Sequence, residues 1–273
     1  AGFEASDALP RLVSIKAGTK VNVVPGKAKA AVEGFEMAAL EKAAAETKEE
    51  TGISFEFAAE GTVTEITATG IGAHASTPDV GNNALTGLLV FLGKLDFASC
   101  PQVDMVRKTA SLFPHGDVNG KTLGVAMEDE LSGNLTLSFN MLTVDAASMD
   151  GEFDGRIPVC GNDENVLEVV RARMAEQGLT LLNKALIPPH HVSADSYFVK
   201  TLLAAFELYT GRKGECQALG GGTYVHHLEN GVAFGAAMPE TDNKMHGPDE
   251  FAVVDELLVS AKIFAQAIVD LCG

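Results

Sequence analysis

The sequence predicts an α+β fold, with antiparallel sheets and helices on one face arranged as two related lobes, followed by a partial α/β segment. Three observations carry that expectation. Residues 11–100 run β-β-α-β-β-α, which matches no repeating parallel α/β unit. Residues 101–185 follow a similar order of strands and a helix, as a second lobe would. Beyond Pro188-Pro189 the pattern changes, over 186–273, to a helix, an apolar run and a second long helix, an α/β signature.

In the first lobe, residues 12–15 and 21–24 read as short strands around Ala17-Gly18-Thr19, and Pro25-Gly26 ends the second. Residues 27–33 have the character of an edge strand. Residues 35–51, FEMAALEKAAAETKEET, are rich in Ala, Glu and Lys and form a helix, with Gly52 where a C-terminal cap belongs. Strands follow at 54–58 and 62–69, the second alternating as TVTEITAT. A loop around His74 leads to a helix over 82–95, capped by Asn82 or Asn83. In the second lobe, strands are expected at 123–127, 134–145 and 152–158, then a helix at 165–177 and a returning strand at 179–187. The last segment reads as a helix over 194–210, a glycine loop at Gly220-Gly221-Gly222, a buried strand at 231–238, a loop carrying His246, and a helix over 253–271.

The 273 residues suffice for a sizeable core and two domains. Net charge is −17, from 37 acidic against 20 basic residues, which argues against a nucleic-acid partner. There is no basic amphipathic helix for a membrane surface and no apolar run long enough to span a bilayer. The first residues lack the pattern of a signal peptide. Cys100, Cys160, Cys216 and Cys272 lie 56 to 60 residues apart, so a zinc ribbon is excluded and a reducing cytoplasm is the expected compartment.

His74, in GIGAHASTPDVGNNA, is flanked by small residues that leave its imidazole unshielded. It is either a backbone-bonded loop histidine or a donor to a developing oxyanion. Arg156, in FDGRIPV, is either an edge arginine reaching water or a fork for a substrate carboxylate. His246 fits a metal ligand, an acid/base group or a plain loop residue. Asn22 reads as a strand asparagine bonded to backbone.

Together the segments RLVSIKAGTKVNVVPGKAKA, GIGAHASTPDVGNNA, FDGRIPV and GGGTY…GVAFGAAMPETDNKMHGPDEF resemble, in order and spacing, the carnosinase and aminoacylase family of di-zinc peptidases. LGVAMEDELSGNLTLSFN is similar to the second lobe of the PepV-type dipeptidase lid. The resemblance implies a lid domain over 11–185, with lobes of about 11–100 and 101–185, inserted into a catalytic domain whose returning segment is 186–273. It implies two zinc ions in the intact enzyme, His246 as a metal ligand, and His74 as the lid histidine that polarises the scissile carbonyl. Arg156 would grip the substrate's C-terminal carboxylate, Asn22 would lie near the substrate, and Gly220, Gly221 and Thr223 would line the same pocket. The family's other metal ligands and its general-base Glu precede the lid and have no counterpart in these residues. Val225-His226 stands where the family has Ala-Arg.

The expectation is therefore a fragment of a zinc-dependent dipeptidase acting on short unblocked dipeptides. It would be inactive alone, lack its N-terminal catalytic half, and be open to self-association through the face that half would cover. The alternatives are a non-catalytic binding or assembly module, and an amidohydrolase or deacylase of the same family.

Overall fold

The computed structural model describes residues 2–3, 6–235, 238, 240–244 and 249–273, and divides into two compact units, Ala1–Pro188 and Pro189–Gly273. The first is built on one antiparallel six-stranded sheet. Its strands are β1 (Arg11–Ala17), β3 (Lys27–Glu33), β4 (Ser54–Glu60), β5 (Val63–Thr69), β9 (Thr136–Val144) and β10 (Met149–Arg156), in the order β10-β9-β1-β3-β5-β4. The short strands β2 (Val23–Val24) and β6 (Ala73–His74) pair with each other, as do β7 (Glu128–Asp129) and β8 (Gly133–Asn134).

Alternation makes β3 and β5 strands: Ala28, Ala30, Val32, Ile66 and Ala68 turn inward while the residues between them face out. The helix α1 (Met37–Thr51) stops at Gly52, whose φ of 74° is the left-handed cap conformation. The helix α2 (Ala84–Gly93) is apolar all round, and it is buried accordingly. It lies across β3, β5 and β9 and packs on α1 and on α3 (Pro101–Leu112). Burying Leu85, Leu88, Phe91 and Leu92 contributes about 1.5–3 kcal/mol each. The helix α3 was not expected from the sequence, although Pro101 at its first turn and the inward Val103, Val106 and Leu112 are its signals.

A single core runs through both of the expected lobes. The strand β1 joins them: Ile15, Lys16 and Ala17 pair with Ala30, Lys29 and Ala28 on one edge and with Val144, Thr143 and Leu142 on the other. The division near residue 100 therefore separates neither sheet nor core.

Three expected strands do not form among the described residues. Residues 123–127 bury Leu123 and Val125 without joining a ladder. Gly120 and Gly124 take left-handed conformations there (φ 68° and 81°), and the Asp117 carboxylate accepts the amides of Asn119, Lys121 and Thr122. In 179–187, Leu179 and Leu181 are buried, but the carbonyls of Leu181 and Asn183 accept from the Arg171 guanidinium instead of a neighbouring strand. Of the expected strand 231–238, residues 231–235 form none, and 236 and 237 lie outside the described residues. An isolated strand leaves its backbone groups unpaired, and the described residues of the second unit include no strand to pair with it. The helix expected at 165–177 begins earlier, as a π-helical turn at Asp163–Leu167 closed by an Asn162 capping box, and continues as α4 (Glu168–Glu176).

The second unit holds α5 (Tyr197–Thr210) against α6 (Val254–Cys272) through Leu202, Ala205, Ile263 and Ala267. The Ser196 hydroxyl caps α5 by accepting from the Val199 amide, and Phe234 meets Phe264 edge-on at 5.3 Å. The remaining flank of α6 exposes Val254, Leu257, Leu258, Ile268 and Val269. Among the described residues no helix is long and apolar enough to cross a membrane.

Asn83 performs two tasks that test this packing. Its Oδ1 accepts the amides of Leu85 and Thr86, and its Nδ2 donates to the Phe139 carbonyl at 2.8 Å, tying the α2 N-terminus to β9. Asn83→Ala is expected to lower the unfolding free energy by about 1–3 kcal/mol, the loss of a cap and of one further bond. A urea titration with unchanged slope would read this as a lower midpoint.

Candidate functional site

The turn that leaves β1 positions the first candidates. Gly18 has a φ of 77°, and a Cβ there would sit 2.0 Å from the Asn140 carbonyl oxygen, so only glycine lets the chain fold back over β9. Asn140 is fully buried, and its Nδ2 donates to the Val21 carbonyl at 2.6 Å and to the Ser138 hydroxyl at 2.8 Å. This anchors the turn at residues 21–22. Asn22 therefore lies in that turn, exposed, rather than within a strand as its sequence context suggested.

From the turn, β2 runs antiparallel to β6 with Val23 opposite His74, and the Ala75 amide donates to the Asn22 carbonyl at 3.0 Å. Asn22 and His74 are thereby neighbours. The His74 side chain is exposed, and its Nδ1 lies 2.7 Å from Ser76 Oγ and 3.2 Å from the Ser76 backbone nitrogen. A backbone N–H can only donate, so Nδ1 accepts, and the proton of the neutral ring resides on Nε2. His74 thus presents an Nε2–H donor held in one tautomer, a group able to bind oxygen that gains negative charge.

Arg156 closes β10, one of the two edge strands of the six-stranded sheet. Its guanidinium meets Asp154 in two bonds, Nε to Oδ1 at 2.6 Å and one terminal nitrogen to Oδ2 at 2.8 Å. The chain just beyond is pinned to the β7–β8 hairpin. Asp129 accepts the amides of Ser132 at 2.7 Å, Leu131 at 2.9 Å and Cys160 at 3.1 Å, and the Ser132 hydroxyl accepts the Val159 amide at 2.9 Å. The Ser132 N–H is the largest cause holding the Asp129 carboxyl down at about 2, helped by the Ser132 hydroxyl and the Cys160 and Leu131 amides.

A cavity of about 270 Å³ opens beside this framework, lined by Val24, Pro78, Asn83, Thr86, His115 and Ser138 among others. Thr86 Oγ1 lies 2.9 Å from His115 Nδ1. Burial pushes the His115 imidazole below its ordinary value, against the Thr51 carbonyl and the Glu50 carboxylate, which favour the charged form. His115 was not among the residues singled out from the sequence. Its setting between Pro114 and Gly116 was the available signal.

In the second unit Gly220, Gly221 and Thr223 lie exposed in the loop before the short 3-10 turn Tyr224–His227. A Cβ at Gly221 or Gly222 would meet nothing within 4 Å. His246 lies outside the described residues. Metal-type spacings also occur at His115-Gly116-Asp117 and from His226 to Glu229. However, Asp117 is committed to backbone amides, and among the described residues no group of three or more His, Cys, Asp or Glu side chains could hold a metal ion. The described residues alone therefore do not fit a zinc pair.

Comparison with known proteins adds the next finding. The chain is 35% identical over 265 residues to a Bacillus subtilis (strain 168) protein named "Putative dipeptidase YtjP", a match covering 95% of this chain and 55% of that protein. It is 31% identical to the Beta-Ala-Xaa dipeptidase of Lactobacillus delbrueckii subsp. lactis, with the same coverage of each. Both are named dipeptidases. A third, from Staphylococcus aureus (strain USA300), is 27% identical over 96% of this chain and 56% of its own. The chain thus spans about half the length of the curated relatives it matches. No family model matches it.

The Asp129 turn yields a pH prediction. A carboxyl at 3.8 when unfolded and about 2 when folded adds stability that is complete above pH 4 and lost as pH falls through about 2. Asp129→Asn should remove this contribution. The variant's unfolding midpoint should therefore fall less than that of the parent between pH 4 and pH 2, as followed by circular dichroism.

Proposed function

We propose that these residues form the lid and the returning catalytic segment of a metal-dependent dipeptidase that hydrolyses the peptide bond of short unblocked dipeptides. The observation that carries the reading is His74: one tautomer, an exposed Nε2–H and Asn22 alongside. The similarity to proteins named dipeptidases along 95% of the chain supports it.

In this reading the His74 Nε2–H donates to the scissile carbonyl oxygen and binds it more tightly as attack converts it to an oxyanion. Asn22 flanks the same position. Arg156 receives the C-terminal carboxylate, and the loop of Gly220, Gly221 and Thr223 lines the substrate pocket. His246 is proposed as one ligand of a zinc pair, which when bound would acidify the attacking water. The other ligands and the general-base Glu come from segments outside these 273 residues. The partners are accordingly a dipeptide and the remainder of the catalytic domain, with the exposed apolar flank of α6 available for such packing or for self-association.

The test compares the isolated chain with the whole protein on dipeptides and N-acyl amino acids, with and without zinc. The isolated chain is expected to be inactive and the whole protein to hydrolyse dipeptides. His74→Ala should lower kcat by about 10²–10³-fold, the usual cost of one oxyanion donor. Arg156→Ala should act mainly on KM, by roughly ten- to a hundred-fold. Turnover by the isolated chain, or preference for N-acyl amino acids, would refute the reading.

A further inference from the structure

Strand β10 ends in a paired group. Asp154 and Arg156 are two residues apart on one strand, so their side chains leave the same face, and Gly155 between them places no side chain on the other. The backbone beneath both is fixed by the ladder, with Asp154 opposite Ser138 and Arg156 opposite Thr136. The side chains are largely sheltered, Asp154 at 12% and Arg156 at 25% exposure, unlike a surface pair in free solvent. The two bonds, at 2.6 and 2.8 Å, are charge-assisted and use both carboxylate oxygens.

That geometry has a directional consequence. The Nε edge of a planar guanidinium is held by Asp154, so a short side chain on a rigid strand restrains the plane of the fork and the direction of its far end. An arginine otherwise loses rotamer freedom when it binds a ligand, and a partner that has already ordered it removes much of that cost. The tie reaches further along the same face. Ser138, opposite Asp154, accepts from Asn140, whose amide also holds the Val21 carbonyl beside Asn22.

We propose that Asp154 is the positioning residue for Arg156, ordering its guanidinium and setting the direction from which a substrate's C-terminal carboxylate is received. This rests on the dipeptidase reading above. It assigns Asp154 no contact with substrate and no proton transfer.

The test uses the whole protein, with Asp154→Asn and Asp154→Glu assayed on a dipeptide and on the matching dipeptide amide. Asp154→Asn should raise KM for the free dipeptide roughly ten- to a hundred-fold, the scale of a misplaced binding group, while kcat and the KM for the amide stay within about two-fold. Asp154→Glu should restore part of the loss. Equal losses on acid and amide would mean a merely structural role, and no loss on either would mean no role; each overturns the proposal. A whole protein inert towards every dipeptide would sink the dipeptidase reading and, with it, the substrate-directing part of the proposal. The hold on Arg156 is then still read in the isolated chain, from solvent exchange of the Arg156 Nε–H by nitrogen-15 NMR. Exchange should quicken at least about ten-fold in Asp154→Asn, and equal rates would overturn the pairing itself.

Discussion

Three residues of β1 hold the first unit together. Ile15, Lys16 and Ala17 carry ladders on both edges, to β3 and to β9, and so bond the two halves of the unit into one sheet. Every candidate in this unit depends on that junction. Arg156 lies on β10, which reaches the rest of the sheet only through β9. Asn22 lies on the turn leaving β1, and His74 is registered against the strand that follows it. Register is strict here because a one-residue slip would send Ile15 and Ala17, both buried, to the opposite face.

Polar ties do the finer positioning. The amide of Asn140, deep in the unit, holds the Val21 carbonyl, while its Oδ1 and the hydroxyl of Thr136 are buried without a partner among the described residues. The acidic residues also work locally. Asp129 and Asp145 gather backbone amides at turns, and those amides hold their carboxyls below the ordinary range. At Asp117 burial pushes upward, but the amides of Thr122, Lys121 and Asn119 outweigh it. Part of the net charge of −17 is therefore internal stapling of loops, beyond any effect on solubility.

The second unit contributes a different kind of surface. Its helices α5 and α6 cover each other along one line of small and branched side chains, leaving the outer flank of α6 apolar and exposed. The glycine loop before Tyr224 has room at Gly221 and Gly222 for side chains it does not carry. The relatives matched along 95% of this chain are nearly twice as long.

Sequence by itself determined the elements whose signals are local. Alternation in 63–69, the helix-forming run ending at Gly52, and the Asn83 cap appear where short-range rules place them, whereas 27–33, expected as an edge strand, lies inside the sheet with ladders to β1 and β5 on either side. His74, Arg156 and Asn22 were legible as candidates from their small or apolar flanks and from the order of the segments around them. Tertiary structure decided which groups meet. It gave Leu123, Val125, Leu179 and Leu181 buried places without strands: left-handed Gly120 and Gly124 and the amides gathered by Asp117 turn the chain around 117–124, and Arg171 takes the carbonyls of Leu181 and Asn183 that a ladder would have used. It merged two expected lobes through β1, fixed the His74 tautomer through the Ser76 amide, and set Asp154 against Arg156. Specific hydrogen-bond partners, near or far in the chain, leave no periodic trace in it, so geometry alone could assign them.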